Sequence, residues 1–204
     1  MQWTDLAAGL QAMPWYELVA AVLSAVGVWL AARQNIWTWP VAMAGVAIYT
    51  IVYFDARLYA DMGLAAFYFI TSGYGWYEWL FGGKGGQELA VSHTKPKQWL
   101  YLTVFVLVFT FGLGYFLENY TNADLSYIDA ATTGVSLAAY WLMARKKVEN
   151  WLIWIVVDTA YVGVYYYKEL YISAVLYFVF VVLATKGYID WKKELTQKPE
   201  EVHA

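Results

Sequence analysis

The chain has 204 residues, 61% hydrophobic and only 14% charged, with a mean hydropathy of +0.44. A soluble domain carries about 25% charged residues, so the chain is expected to be an integral membrane protein, with nothing to suggest nucleic acid. The net charge of −3 names no partner, and with no Cys and only His93 and His203, both in polar segments, disulfides, thiolate chemistry and His-rich metal sites drop out.

The opening MQWTDLAAGLQAMPW lacks a basic n-region and a small-residue cleavage site, so no signal peptide is expected. Trp3, Leu6 and Leu10 at helical spacing fit either a short helix on the membrane surface or a disordered terminus. A crossing needs roughly 17–25 mainly apolar residues. Seven runs qualify, at 17–33, 36–54, 58–80, 98–117, 126–144, 151–167 and 171–188. The connections are short except for GGKGGQELAVSHTKPK after the third run, expected to be a solvent-exposed loop. Of the 13 basic residues, Arg57 and Lys168 fall on one side of such a topology and the rest on the other. That imbalance puts the N-terminus outside and the C-terminus in the cytoplasm of a cell (inner) membrane.

A repeat organises the chain. Trp39 recurs at Trp151, an offset of 112 residues, and the same offset pairs Tyr49 with Tyr161, Tyr53 with Tyr165, Leu64 with Leu176, Gly75 with Gly187 and Trp79 with Trp191. It also pairs Ser24 with Ser136 and WLAAR (29–33) with WLMAR (141–145). The expected architecture is all-α, a single domain over 1–204. Repeat one (17–80) and repeat two (126–191) are three-helix units, made parallel by the linker helix 98–117.

Residues that break the repeat are the candidates for chemistry. On the sixth run Trp151, Trp154, Asp158, Tyr161 and Tyr165 share one helical face, whereas their counterparts include Ala42 and Val46 opposite Trp154 and Asp158. A carboxylate near mid-membrane costs at least ~2.5–3.5 kcal/mol, so it is expected to face the bundle interior. Two tryptophans and an acid suit a flat cation, since each aromatic face contributes roughly 0.5–2 kcal/mol and the acid balances charge. On the fifth run Asp129, Thr133, Ser136 and Tyr140 form a polar stripe, Tyr140 standing opposite Val28. The site is therefore expected largely in the second copy, with Trp39, Tyr68 and Trp76 completing the candidate substrate-binding set.

Each assignment has a plainer competitor. Most Trp and Tyr are expected to be interface anchors or packing residues, the class of Trp3, Trp15, Trp37, Trp79, Trp99 and Trp191, and Trp151 fits either an anchor or a ligand contact. Asp129 fits a helix cap, Asp61 is similarly shallow, and Asp158 fits a structural hydrogen bond to a Tyr or Thr. Gly27, Gly45, Gly63, Gly134 and Gly163 are expected to allow close helix approach rather than to touch a ligand. A retinal protein needs a mid-helix Lys, but Lys168 and Lys186 lie at the ends of their crossings; for an intramembrane enzyme the chain has no Cys, no buried His and no paired acids at depth.

The segments TWPVAMAGVAIY, FDARLYADMGL, YGWYEW and ARKKVENWLIWIVVD, followed by YKELY, resemble the Pnu family of bacterial vitamin transporters over about residues 17–191. The resemblance implies a 3+1+3 arrangement like that of SWEET sugar transporters. It also implies facilitated diffusion without a cofactor, and trapping of the vitamin by a cytoplasmic kinase. It leaves room for a homo-oligomer and for proton coupling through Asp158. Nicotinamide riboside transporters of this family usually carry amides where this chain has Ala65, Tyr140 and Asp158, so the departures favour thiamine, with nicotinamide riboside as the alternative.

Overall fold

The structure, a computed structural model, describes residues 15–55, 59–121, 126–167 and 169–197. The surface helix expected around Trp3, Leu6 and Leu10, the topology markers Arg57, Lys168 and Lys198, and His203 lie outside them. So do the side chains of Tyr49, Tyr53, Asp61 and Gly63.

The described residues form seven α-helices: α1 (Trp15–Ala32), α2 (Thr38–Asp55), α3 (Tyr59–Phe81), α4 (Pro96–Tyr120), α5 (Ser126–Ala144), α6 (Asn150–Tyr167) and α7 (Tyr171–Gln197). The apolar runs end within a few residues of these bounds except at α7, which continues to Gln197. There the helix outlasts its apolar stretch because Trp191 is fully buried and Lys186 pairs with Asp190 at 2.7 Å one turn on. By length and composition α4 and α7 are the two helices long and apolar enough to cross a membrane. The outer face of α4 is hydrocarbon and open, with Leu100, Val104, Val108 and Phe111 all exposed. An apolar face of that extent is stable against lipid and not against water.

Helix neighbours close a ring in the order α1, α2, α3, α5, α6, α7 and back to α1, with α4 outside it against α5. The 112-residue offset maps this ring onto itself. The mapping extends to detail. α1 and α5 both end on a non-glycine residue in the left-handed region, Gln34 at φ 54° and Lys146 at φ 46°. Each closes the same pair of bonds, Asn35 N to Leu30 O and Gln34 N to Ala31 O in one, Lys147 N to Leu142 O and Lys146 N to Met143 O in the other. The shared WLxAR motif has a reason too. Arg33 lies over the Trp29 ring at 4.9 Å and Arg145 over Trp141 at 5.9 Å, one turn back on each helix.

The core is a chain of four buried tryptophans. Trp39 meets Trp79 edge-on at 5.3 Å, Trp79 meets Trp191 at 6.0 Å, and Trp191 meets Trp151 at 5.3 Å. The two central indoles cross between the halves: Trp79 Nε1 donates to Met143 O at 3.1 Å, and Trp191 Nε1 donates to Ala31 O at 3.2 Å. Within the expected class of anchors and packing residues, Trp79 and Trp191 are packing residues, while Trp15 and Trp37 are largely exposed as anchors are.

The segment after α3 is solvent-exposed over most of its length, as expected, but it is also docked. Gly85 and Gly86, both at positive φ, turn the chain back, and Ser92 then bonds the α5–α6 turn through Ser92 N to Lys146 O at 3.0 Å and Val148 N to Ser92 O at 3.1 Å. Val91 and Thr94 become buried. Lys146, 1% exposed, lies 4.7 Å above the Trp79 ring and 2.9 Å from Glu88. Glycine content signals the turn; the docking depends on partners some 55 residues away in sequence, which local composition does not encode.

Glu149 is the hub of that docking, accepting from Thr94 N at 2.9 Å and Thr94 Oγ1 at 2.6 Å, with His93 Nδ1 at 2.8 Å. Burial pushes its carboxyl up, but the bonds from Thr94 and His93 outweigh burial and hold it below its ordinary range. A carboxyl held lower in the folded than in the unfolded chain contributes stability above the unfolded value of about 4.3, and loses it as pH falls through the folded value. Hydrogen exchange at residues 88–95, corrected for its intrinsic pH dependence, is expected to be slow at pH 7 and to accelerate below about pH 4. Glu149→Gln is expected to be faster at pH 7 and to lack the acid transition; a wild-type profile in the variant would detach the loop from Glu149.

Candidate functional site

A cavity of about 360 Å³ lies inside the six-helix ring. Of the candidates, Trp39, Tyr68, Tyr140, Trp151, Trp154 and Asp158 line it together. Ser136, Tyr161 and Trp76 do not. Ser136 is half-buried away from the cavity, and its repeat partner Ser24 lines the wall instead. Tyr161 packs into a tyrosine cluster, 5.9 Å from Tyr165 and 5.0 Å from Tyr177. Trp76 is 39% exposed on the outer side of α3. Asp129 is in the first turn of α5 rather than at its cap, where an acid still complements the helix dipole.

The site is not confined to the second copy. α1 and α2 supply much of the wall through small and aliphatic residues, among them Ser24, Val28, Ala42 and Val46. Gly27 and Gly45 line it as well, their missing side chains leaving room for the cavity: a Cβ at either would meet its nearest neighbour only at 3.9 Å. Gly134 does serve close approach, with Phe109 at 3.2 Å from an added Cβ, whereas Gly163 has nothing within 4 Å. The expectation missed Tyr177 and Phe180. The signal for Tyr177 was present, since its counterpart at the 112-residue offset is Ala65.

Trp39 and Trp151 hold their places because each lies on a glycine. A Cβ on Gly75 would come within 2.4 Å of the Trp39 ring, and one on Gly187 within 2.6 Å of Trp151. This is the close approach that demands glycine at both positions. The indole N–H groups of Trp39 and Trp151 are buried and have no acceptor among the described residues. An unpaired buried donor costs about 1–3 kcal/mol, a cost that the close packing of these two rings has to offset.

Asp158 is 5% exposed on the cavity wall, one turn from Trp154. Among the described residues its carboxylate has no hydrogen-bond or ion-pair partner, so the structural bond to a Tyr or Thr is not made. Across the cavity Tyr140 is wedged between Trp39 at 5.9 Å and Tyr68 at 5.3 Å, both edge-on. Among the described residues the lining therefore offers aromatic edges, tyrosine hydroxyls and one acid without a partner. That inventory suits a flat, positively charged ring bearing a hydrogen-bond acceptor. Among the described residues no group of three or more His, Asp or Glu converges as a metal site would.

Residues 14–193 match the family model described as "Nicotinamide mononucleotide transporter". The chain is 26% identical over 211 residues to the nicotinamide riboside transporter PnuC of Escherichia coli (strain K12), covering 91% of this chain and 88% of that one. It is 25% identical to the riboflavin/roseoflavin transporter RibM of Streptomyces davaonensis, covering 87% and 84%. The crystal structure of the vitamin B3 transporter PnuC superposes with a TM-score of 0.70 at 22% identity, over 95% of this chain and 88% of that one.

Proposed function

This chain belongs to the nicotinamide mononucleotide transporter family, the Pnu family of vitamin transporters, and from that premise we propose that it carries nicotinamide riboside across the cell membrane by facilitated diffusion. The observation that carries the reading is Asp158 beside Trp154, the one acid among the described residues that line a largely aromatic and aliphatic cavity. A pyridinium ring supplies the missing charge, and its carboxamide and ribose supply partners for the tyrosine hydroxyls among the lining residues. The relatives above are named for nicotinamide riboside and riboflavin, which moves the preference away from thiamine. Thiamine stays as the second reading on a specific observation: Tyr140 and Asp158 line the cavity where amides are usual in nicotinamide riboside transporters.

The wider scheme belongs to the same proposal. Two parallel three-helix units, α1–α3 and α5–α7, rock about the cavity, with α4 as the joining helix of a SWEET-like 3+1+3 plan. The reciprocal bonds of Trp79 and Trp191 support that division. The N-terminus is outside, and a cytoplasmic kinase acting on the vitamin makes uptake one-way. Titration of purified protein with nicotinamide riboside, thiamine and riboflavin, followed by tryptophan fluorescence, is expected to rank nicotinamide riboside tightest. Tighter thiamine binding would reverse the two readings, and binding of none would overturn both. Uptake into liposomes at symmetric pH is expected to be indifferent to a protonophore; loss of uptake would make the carrier proton-coupled.

A further inference from the structure

The cavity has a twofold frame but an unequal lining. Tyr68, Ser72 and Tyr140 stand where α3 meets α5, and their counterparts at the 112-residue offset, where α7 meets α1, are Phe180, Ala184 and Val28. Three hydroxyls on one edge thus answer to three hydrocarbon groups on the other.

The protons on the polar edge can be assigned. Ser72 is fully buried, and its hydroxyl donates to Tyr68 O at 2.7 Å. A serine hydroxyl has one proton, so the second short contact, Ser72 Oγ to Tyr140 Oη at 2.7 Å, is a bond that the tyrosine donates. Tyr140 lines the cavity with its proton already committed to Ser72. What its oxygen can still offer a ligand is a lone pair.

We infer that Ser72 is a positioning residue for substrate selection: by holding the Tyr140 proton it makes the Tyr140 oxygen an acceptor-only pole that takes a neutral hydroxyl or amine of the vitamin. The cationic ring then lies at Trp154 and Asp158, and on the α7/α1 edge the counterpart of Tyr140 is Val28, which offers no acceptor for the second orientation that a twofold frame would otherwise permit. This rests on the transport reading above and adds the direction in which the ligand lies. It also adds a rule: the pole rejects a group that can only accept.

The test compares nicotinamide riboside and thiamine with the ether of each in which the terminal hydroxyl is O-methylated, by fluorescence titration. Wild type is expected to bind each ether about tenfold or more below its parent, since an acceptor would then face an acceptor. Ser72→Ala installs the residue found at the counterpart position 184 and frees the Tyr140 proton. The parent-to-ether ratio is expected to fall below about threefold, chiefly through better ether binding, while Ser72→Thr keeps the wild-type ratio. A loosened fold would weaken parent and ether alike and leave the ratio standing. A tenfold ratio retained in Ser72→Ala overturns the inference, as does a wild type that shows no ratio. Should Ser72→Ala fail to fold, Tyr140→Phe gives the same reading by losing parent binding alone. Wild type that binds neither parent overturns the transport reading itself, whereas parents that bind without discrimination overturn only the pole.

Discussion

Asp158→Ala is expected to weaken binding of nicotinamide riboside and of thiamine at least tenfold, about 1.4 kcal/mol, without lowering the melting temperature. The two halves of that expectation have one cause. In the ligand-free protein the carboxylate is buried on the cavity wall with no partner among the described residues, so it contributes nothing to hold the helices together. Removing an uncompensated buried charge is neutral or stabilising. With a cation in the cavity the same carboxylate is the one opposite charge on its wall. Asp158→Asn sharpens the test, because the amide keeps the shape and one acceptor while losing the charge. It is expected to retain nicotinamide riboside within about threefold, its carboxamide and ribose having neutral partners, and to cost thiamine the larger share. Riboflavin, whose ring is neutral, is expected to respond least to either variant. Equal losses for all three vitamins, or a melting temperature that falls with affinity, would make Asp158 a structural group.

Particular residues show how much of this was legible in the sequence. The seven helices follow from apolar runs alone, and the 112-residue offset picked out Trp39, Gly75, Trp79 and their partners, which the structure assembles into one core. Looking for breaks in the repeat found Trp154, Asp158 and Tyr140, because a symmetric frame needs no such substitutions. The same rule failed where the copies differ only in the size of an apolar residue, Gly27 opposite Ala139, Val41 opposite Ile153 and Gly45 opposite Val157. Gly27, Val41 and Gly45 form wall by being small or aliphatic, and no chemistry marks them among other apolar helix residues. It also missed Ser72, whose importance lies in a proton shared with a residue 68 positions away. Ser136 failed for the opposite reason: helical spacing places it on the stripe with Tyr140, but the helix turns that part of the face away from the cavity.

The glycines beneath Trp39 and Trp151 carry the largest expected effect on stability. In an exposed helix Gly→Ala is favourable by about 1 kcal/mol, so the sign at Gly75 and Gly187 has to be argued. A methyl carbon at Gly75 would be 2.4 Å from Trp39, and one at Gly187 2.6 Å from Trp151, against a contact distance of about 3.5–4.0 Å. The ring must therefore move by about 1 Å. It has nowhere free to go on the core side, where Trp79 and Trp191 stand edge-on at 5.3 Å. Overpacking of this kind costs about 1–3 kcal/mol and outweighs the helix-propensity gain. Both Gly75→Ala and Gly187→Ala are expected to lower the melting temperature by several degrees, at roughly 2–4 °C per kcal/mol for a chain of this size. Gly73→Ala is the control, two residues along α3 with nothing within 4 Å of its Cβ, and is expected to be neutral or stabilising. Because the displaced rings also form cavity wall, both core variants are expected to lose vitamin affinity along with stability. Wild-type melting in both would mean that neither ring rests on its glycine. Loss in one alone would show that the two halves share a frame but not its tolerances.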